Sequence, residues 1–238
     1  VHFIQLHDGE ARILIKRAYS QYYLRRLIAE TGALIGKNPH LAAQRVKHEL
    51  ENVHGAWRTA CEQRQSDLLR QATAPLVNYH SLVGTFASGQ ELLMLAKDSA
   101  ENDPDLTAWL LLHHAWMLDT VKSALDTAQE AVTLAQQQQT QATAYFVLGA
   151  TLRNQFMANE AVAPLERAIA LASALNEDRL LGLAKLERGR VHTSAGEISS
   201  ARQCYDAATV HLGKCGDRRS LVRCLRSTGV LLVDEGDT

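Results

Sequence analysis

The sequence predicts an all-α protein built of antiparallel helix hairpins stacked one upon the next. Three observations predict it: a helix-forming composition with only four prolines in 238 residues, apolar side chains spaced three and four apart, and small residues recurring at a constant interval. Ala, Leu, Gln, Glu and Arg dominate the chain, and all are good helix formers. Residues 41–64 and 161–175 each place an apolar stripe on one helical face. Strand-like alternation is nearly absent beyond residue 10.

Helices are expected at 9–35, 40–63, 66–80, 86–101, 105–117, 120–136, 140–155, 159–175, 179–194, 198–213 and 218–234. Asn38-Pro39 and Asn102-Asp103-Pro104 supply a cap followed by proline in the first turn, where its missing N–H costs nothing. Pro75 falls inside the third helix and should kink it. Pro164 lies just past the first turn of its helix and predicts an irregular start. Asn176 and Gly216 hold equivalent places between hairpins, and both tolerate the left-handed conformation that ends helices. Ala195-Gly196-Glu197 and Asp234-Glu235-Gly236, 40 residues apart, mark the turn inside a hairpin.

The interval carries most of the information. Gly149, Gly189 and Gly229 are 40 residues apart, as are Ala161 with Ala201, Leu165 with Tyr205, and Ala168 with Ala208. Val121, Leu125 and Ala128 fall on the same slots one step earlier, and Gly89, Leu93 and Ala96 a further 32 residues back. Small residues in both helices let two backbones approach, the bulky residue fills the adjacent groove, and the alanine leaves room for the next hairpin. Residues 1–64 are expected to form a helical segment packing on the repeats, and residues 65–238 the repeats themselves. The last copy reads as incomplete, with its second helix expected from about residue 238. Together with Val1 and the apolar Val230-Leu231-Leu232-Val233, this predicts a piece of a longer protein carrying further domains.

Composition sets the exclusions. At 46% hydrophobic and 21% charged residues the chain is a folded one. A formal charge of −1 gives no basic field for nucleic acid. No apolar run approaches the ~20 residues of a membrane helix, and no signal peptide is visible, so a cytoplasmic location is expected. Cys61, Cys204, Cys215 and Cys224 are too scattered for a disulfide framework and match no common zinc spacing.

Small-x12-small-x3-bulky-x2-Ala, as in Gly149, Ala161, Leu165, Ala168 and in Gly189, Ala201, Tyr205, Ala208, resembles the tetratricopeptide signature over roughly residues 66–238. That resemblance implies a right-handed superhelix and a binding role without catalysis. Nearer the N-terminus, Arg17-Ala18-Tyr19-Ser20-Gln21-Tyr22-Tyr23-Leu24 and the stretch from His48 to Trp57 are similar to a known junction. It joins the nucleotide-binding region to the repeats in large bacterial signal-transducing ATPases, including MalT- and AfsR-like transcriptional regulators. The likeness implies a partner-sensing arm of a multidomain regulator.

Other motifs carry no chemistry. Gly32-Ala33-Leu34-Ile35-Gly36-Lys37-Asn38 has three residues between its glycines where a phosphate loop has four, and Asn38 replaces the metal-binding hydroxyl. It reads as a helix end. His48 and His54 are six apart, about 240° around a helix, so they are expected to be surface residues. His113 and His114 point about 100° apart and cannot chelate together. Gln136–Gln139 reads as an exposed helix end, Trp109 as core filling a wider hairpin, and Arg218, Arg219 and Arg223 as a solvated turn. No catalytic residue, metal site or cofactor is expected.

One candidate site remains. First helices of stacked hairpins line the concave side, and equivalent positions form columns along it. One column reads His113, Arg153, Thr193 and its neighbour His114, Asn154, Ser194; Arg190 and Arg226 are expected on the same side. Such a groove suits a protein or peptide partner bearing carboxylates, or a small anionic ligand.

Overall fold

The computed structural model describes residues 8–118 and 121–234, and every regular element among them is helical. The chain runs through α1 (Asp8–Ala29), α2 (Thr31–Ile35), α3 (Pro39–His48), α4 (Leu50–Glu62), α5 (Ser66–Val83), α6 (Phe86–Ser99), α7 (Pro104–Ala115), α8 (Val121–Leu134), α9 (Gln138–Asn154), α10 (Ala158–Ala174), α11 (Asp178–Ser194), α12 (Ile198–Cys215) and α13 (Arg218–Asp234). Adjacent helices pack as hairpins, α9 with α10 and α11 with α12 most extensively. None of the described helices is long and apolar enough to cross a membrane.

The recurring small residues sit where the interval predicts, except Gly229, which is exposed and where a Cβ would meet nothing within 4 Å. Ala161, Ala168, Ala201 and Ala208 are fully buried, as is Leu165, and Tyr205 nearly so. A Cβ on Gly149 would lie 2.6 Å from Leu165 Cγ, and one on Gly189 2.5 Å from Tyr205 Cε1. Glycine is therefore required for the close approach of α9 to α10 and of α11 to α12. Leu93, Ala96 and Ala128 are buried in the same way, while the side chain of Val121 lies outside the described residues.

One closing device recurs at the helix ends. All six described residues with positive φ (Arg64, Gly84, Phe156, Asn176, Gly196 and Gly216) stand just before an amide that bonds back five residues, as in Glu177 N to Ala172 O at 2.9 Å and Glu197 N to His192 O at 2.9 Å. This Schellman arrangement satisfies carbonyls that the helix leaves open. Asn176 and Gly216 perform the role expected of them, while residues 235–238 of the last predicted turn lie outside the described residues.

Several expectations need correcting. The helix expected over 9–35 breaks at Glu30, and the one over 40–63 breaks at Glu49, whose backbone leaves helical geometry at φ −113 and ψ 13. The second break frees α4 to lie along α1, where Gly55 admits the Tyr19 hydroxyl, itself donating to Asn52 O at 3.1 Å. Apolar spacing is the same on both sides of a one-residue break, so periodicity cannot reveal it. Helix α10 starts regularly at Ala158 and continues through Pro164; Pro75, as expected, lies inside α5. Asn38 precedes a proline-led helix but makes no capping bond with its side chain, whereas Asp103 accepts from Leu106 N at 3.0 Å. His54 is buried, not on the surface, and stacks on His80 with ring centroids 5.4 Å apart. Burial lowers the pKa of both, that of His80 to about 4, so the pair stays neutral.

Two apolar clusters meet along α7. Leu106 and Leu110 belong to the cluster shared with α1–α6, while Ala108, Leu111 and Leu112 join the one running to α13. Between them Asp105, 4% exposed, accepts from Gln136 N at 2.7 Å, Gln137 N at 2.8 Å and Thr140 Oγ1 at 2.8 Å, and pairs with Arg70 Nη1 at 2.8 Å. Desolvation pushes its pKa up, but these four donors outweigh it and hold the carboxyl below its ordinary value. Gln136–Gln139 keep their side chains exposed, as expected, while their backbone is tied to this carboxylate.

Candidate functional site

Stacking turns the C-terminal halves of α9 and α11 and the middle of α13 toward one side of the stack. There they enclose a cavity of about 820 Å³. Arg153 and Asn154 reach it from the last turn of α9, where a cation also complements the negative helix end. Arg190, Thr193 and Ser194 enter from α11, and Arg226, Ser227 and Val230 from α13. The end of α7 closes the other wall with Ala115, Trp116 and Leu118. Tyr205 forms part of the floor, its hydroxyl 2.8 Å from Thr193 Oγ1.

Four of the six residues singled out from the sequence thus share one cavity: Arg153, Asn154, Arg190 and Arg226. His113 and His114 do not line it. Trp109 donates from Nε1 to Arg70 O at 3.1 Å, which holds that face of α7 against α5. His113, one turn on and so on the same face, follows it: its ring lies 4.6 Å from the Trp109 ring, and its Nδ1 2.8 Å from Trp109 O. Burial, helped by Arg179 and Arg70, lowers its pKa to about 4. Half-buried His114 is also shifted down, by burial and by Lys97. Trp109 itself is half-buried and packs toward α5, with the Arg70 guanidinium 4.7 Å over its ring, not inside its own hairpin.

The central residue of the site went unread in the sequence. Glu187 of α11 is 1% exposed and faces three arginines. Arg153 Nη2 lies 2.8 Å from its Oε2, while Arg190 Nη1 and Arg223 Nη2 lie 3.0 and 3.1 Å from its Oε1. Arg223 is therefore no member of a solvated turn; only Arg218 and Arg219 are exposed there. Burial lowers the pKa of Arg223, and Arg190, Arg153 and Arg219 add to the effect by repulsion against the pull of Glu187. Arg153 Nε is buried and has no hydrogen-bond partner among the described residues. One signal for Glu187 existed. It stands 40 residues after Val147, a buried core position, so a charge there breaks the pattern of the repeat.

Among solved structures the chain is similar to BtubC (BKLC) from P. vanneervenii, at 16% identity and a TM-score of 0.56, over 90% of this chain and 85% of that one. It is also similar to RapI in its apo form, at 11% identity and a TM-score of 0.54, over 92% of this chain and 72% of that one. RapI is a tetratricopeptide-like helical repeat protein, and at these identities the likeness is one of fold. No protein-family model and no curated protein matches the sequence. The chain thus has the fold of a tetratricopeptide-like repeat protein, hairpin stacked on hairpin.

Proposed function

We propose that the chain is a non-catalytic sensor or interaction region of a multidomain bacterial signalling or transcriptional regulator, working in the cytoplasm and binding a protein or peptide segment along its concave side. The observation that carries this reading is the 820 Å³ cavity, walled by three successive first helices and lined by four arginines. A bound segment would touch α9, α11 and α13 together. It would therefore favour one curvature of the stack and shift the population of attached domains, to the extent that it binds one curvature more tightly.

The test uses Asn154 and Arg226, two lining residues outside the Glu187 cluster. Acidic peptides selected from a display library are titrated against the parent chain, Asn154→Ala and Arg226→Ala. At least a tenfold loss in each variant, with melting temperature unchanged, is expected. Peptides that bind all three proteins equally would remove the groove assignment. The intact mass of the native polypeptide separates the regulator from its alternative, a stand-alone scaffold that assembles a protein complex. A mass well above 26.2 kDa favours the first, and a mass near it the second.

A further inference from the structure

Charge in the concave cavity does not balance. Among the described residues Glu187 is the single acidic residue in its lining, against Arg153, Arg190, Arg223 and Arg226. The three guanidiniums in contact with Glu187 leave two positive charges unmatched, and Arg226 makes no ion pair among the described residues. Arg153, Arg190 and Arg223 keep only 22, 21 and 36% side-chain exposure, so water screens them incompletely. The smaller cavity near the N-terminus, about 240 Å³, behaves differently, since there Arg26 pairs with Glu49 and Arg45 with Glu30. The excess belongs to the concave side.

The donors are also free to act. A guanidinium carries five N–H groups. Arg223 spends one on Glu187, and Arg190 spends one on Glu187 and one on Ser227, which leaves most of their N–H groups without a hydrogen bond among the described residues. Away from the arginines the wall turns apolar at Trp116, Leu118, Ala124 and Val230.

We infer that this cavity takes a small amphipathic phosphate monoester, its head group on Arg153, Arg190, Arg223 and Arg226 and its carbon body along Trp116, Leu118 and Val230. The inference rests on the reading of the concave cavity as a binding site and names a ligand class for it. A phosphate monoester carries about −1.5 to −2 charges at pH 7 and three acceptor oxygens, which offsets up to two of the three positive charges that four arginines leave over against Glu187. A single carboxylate offsets only one of them. Guanidinium forks also fit phosphate oxygens two at a time. The cavity falls within the roughly 300–1,000 Å³ of sites for drug-sized ligands, far larger than inorganic phosphate needs.

Calorimetric titration of the whole chain at constant ionic strength compares phenyl phosphate, inorganic phosphate and benzoate. Phenyl phosphate is expected to bind at least tenfold tighter than either, because only it offers both the charge and the body. Arg223→Gln and Arg226→Gln should each weaken it at least tenfold. Arg226 makes no ion pair among the described residues, so its variant remains informative if loss of Arg223 disturbs folding. Trp116→Ala should weaken phenyl phosphate and leave inorganic phosphate unchanged. Benzoate binding as tightly as phenyl phosphate, or an Arg226→Gln variant that binds phenyl phosphate like the parent, would overturn the inference. Acidic peptides that still depend on Asn154 and Arg226 in that case would leave the partner-binding reading intact. Phosphate binding without peptide binding would do the reverse.

Discussion

Hairpins α9/α10 and α11/α12 follow one backbone plan and turn different chemistry toward the concave side. Gly149 against Leu165 in the first is Gly189 against Tyr205 in the second. Buried Val147 and Ala150 in α9, however, become Glu187 and Arg190 in α11, 40 residues on. The same substitution continues along the stack, where buried Leu183 and Leu186 of α11 become Arg223 and Arg226 of α13. The fold accepts an aliphatic side chain at these slots, so it does not call for the charges. What the repeat dictates is which positions face inward, and departures from it write the binding surface.

Replacing Glu187 with the residue of its counterpart slot gives the largest expected effect. Glu187→Val removes the one anion from among three half-buried arginines and should cost about 3 kcal/mol, the low end for breaking a buried ion pair because the guanidiniums keep some solvent. Urea denaturation measures it, and phosphate at fixed ionic strength should recover part of the loss. A change near zero would mean that water alone neutralises the arginines, which would erase the contrast between the two hairpins.

Legibility followed the same division. Gly149, Ala161, Leu165 and Ala168 were readable because tight backbone approach admits only small residues at fixed places, and that constraint repeats. The breaks at Glu30 and Glu49 left no trace, since apolar spacing resumes in phase after each. His113 and His114 fell on the right columns, but Trp109 ties that face of α7 to α5, a contact between distant segments that no interval encodes. Arg153, Asn154, Arg190 and Arg226 line one cavity, as the polar columns predicted to face inward led one to expect. Glu187 and Arg223 were missed because a charge among leucines looks like solvated surface until its partners, 34 and 36 residues away, are placed beside it.

A middle-sized effect tests whether the two hairpins are equivalent where they should be. Ala168 and Ala208 hold the same slot and are both fully buried. Leucine at either place overpacks the contact with the next helix and should cost roughly 1–3 kcal/mol, with the two losses similar. Denaturant midpoints decide the matter. An effect near zero at both would tell against the alignment of the repeats, and a large difference between them would show that the hairpins are packed on different plans.

The smallest effect concerns the turn. Phe156 and Gly196 hold the same left-handed position, at φ 62 and 74, and Phe156 is 97% exposed. A β-carbon in this conformation costs roughly 1–2 kcal/mol, whereas glycine adds about 0.5–1 kcal/mol of unfolded-state entropy to be lost on folding. The Phe156 ring buries almost nothing, so Phe156→Gly forfeits no packing and should stabilise the chain by about 0.5 kcal/mol. Gly196→Phe should cost a similar amount, for the same reason with the sign reversed. Calorimetric melting of both variants reads the pair. Opposite shifts mean that α9/α10 and α11/α12 share one turn and differ only in what fills it; shifts of the same sign would mean that the α9/α10 turn is held by something other than its backbone.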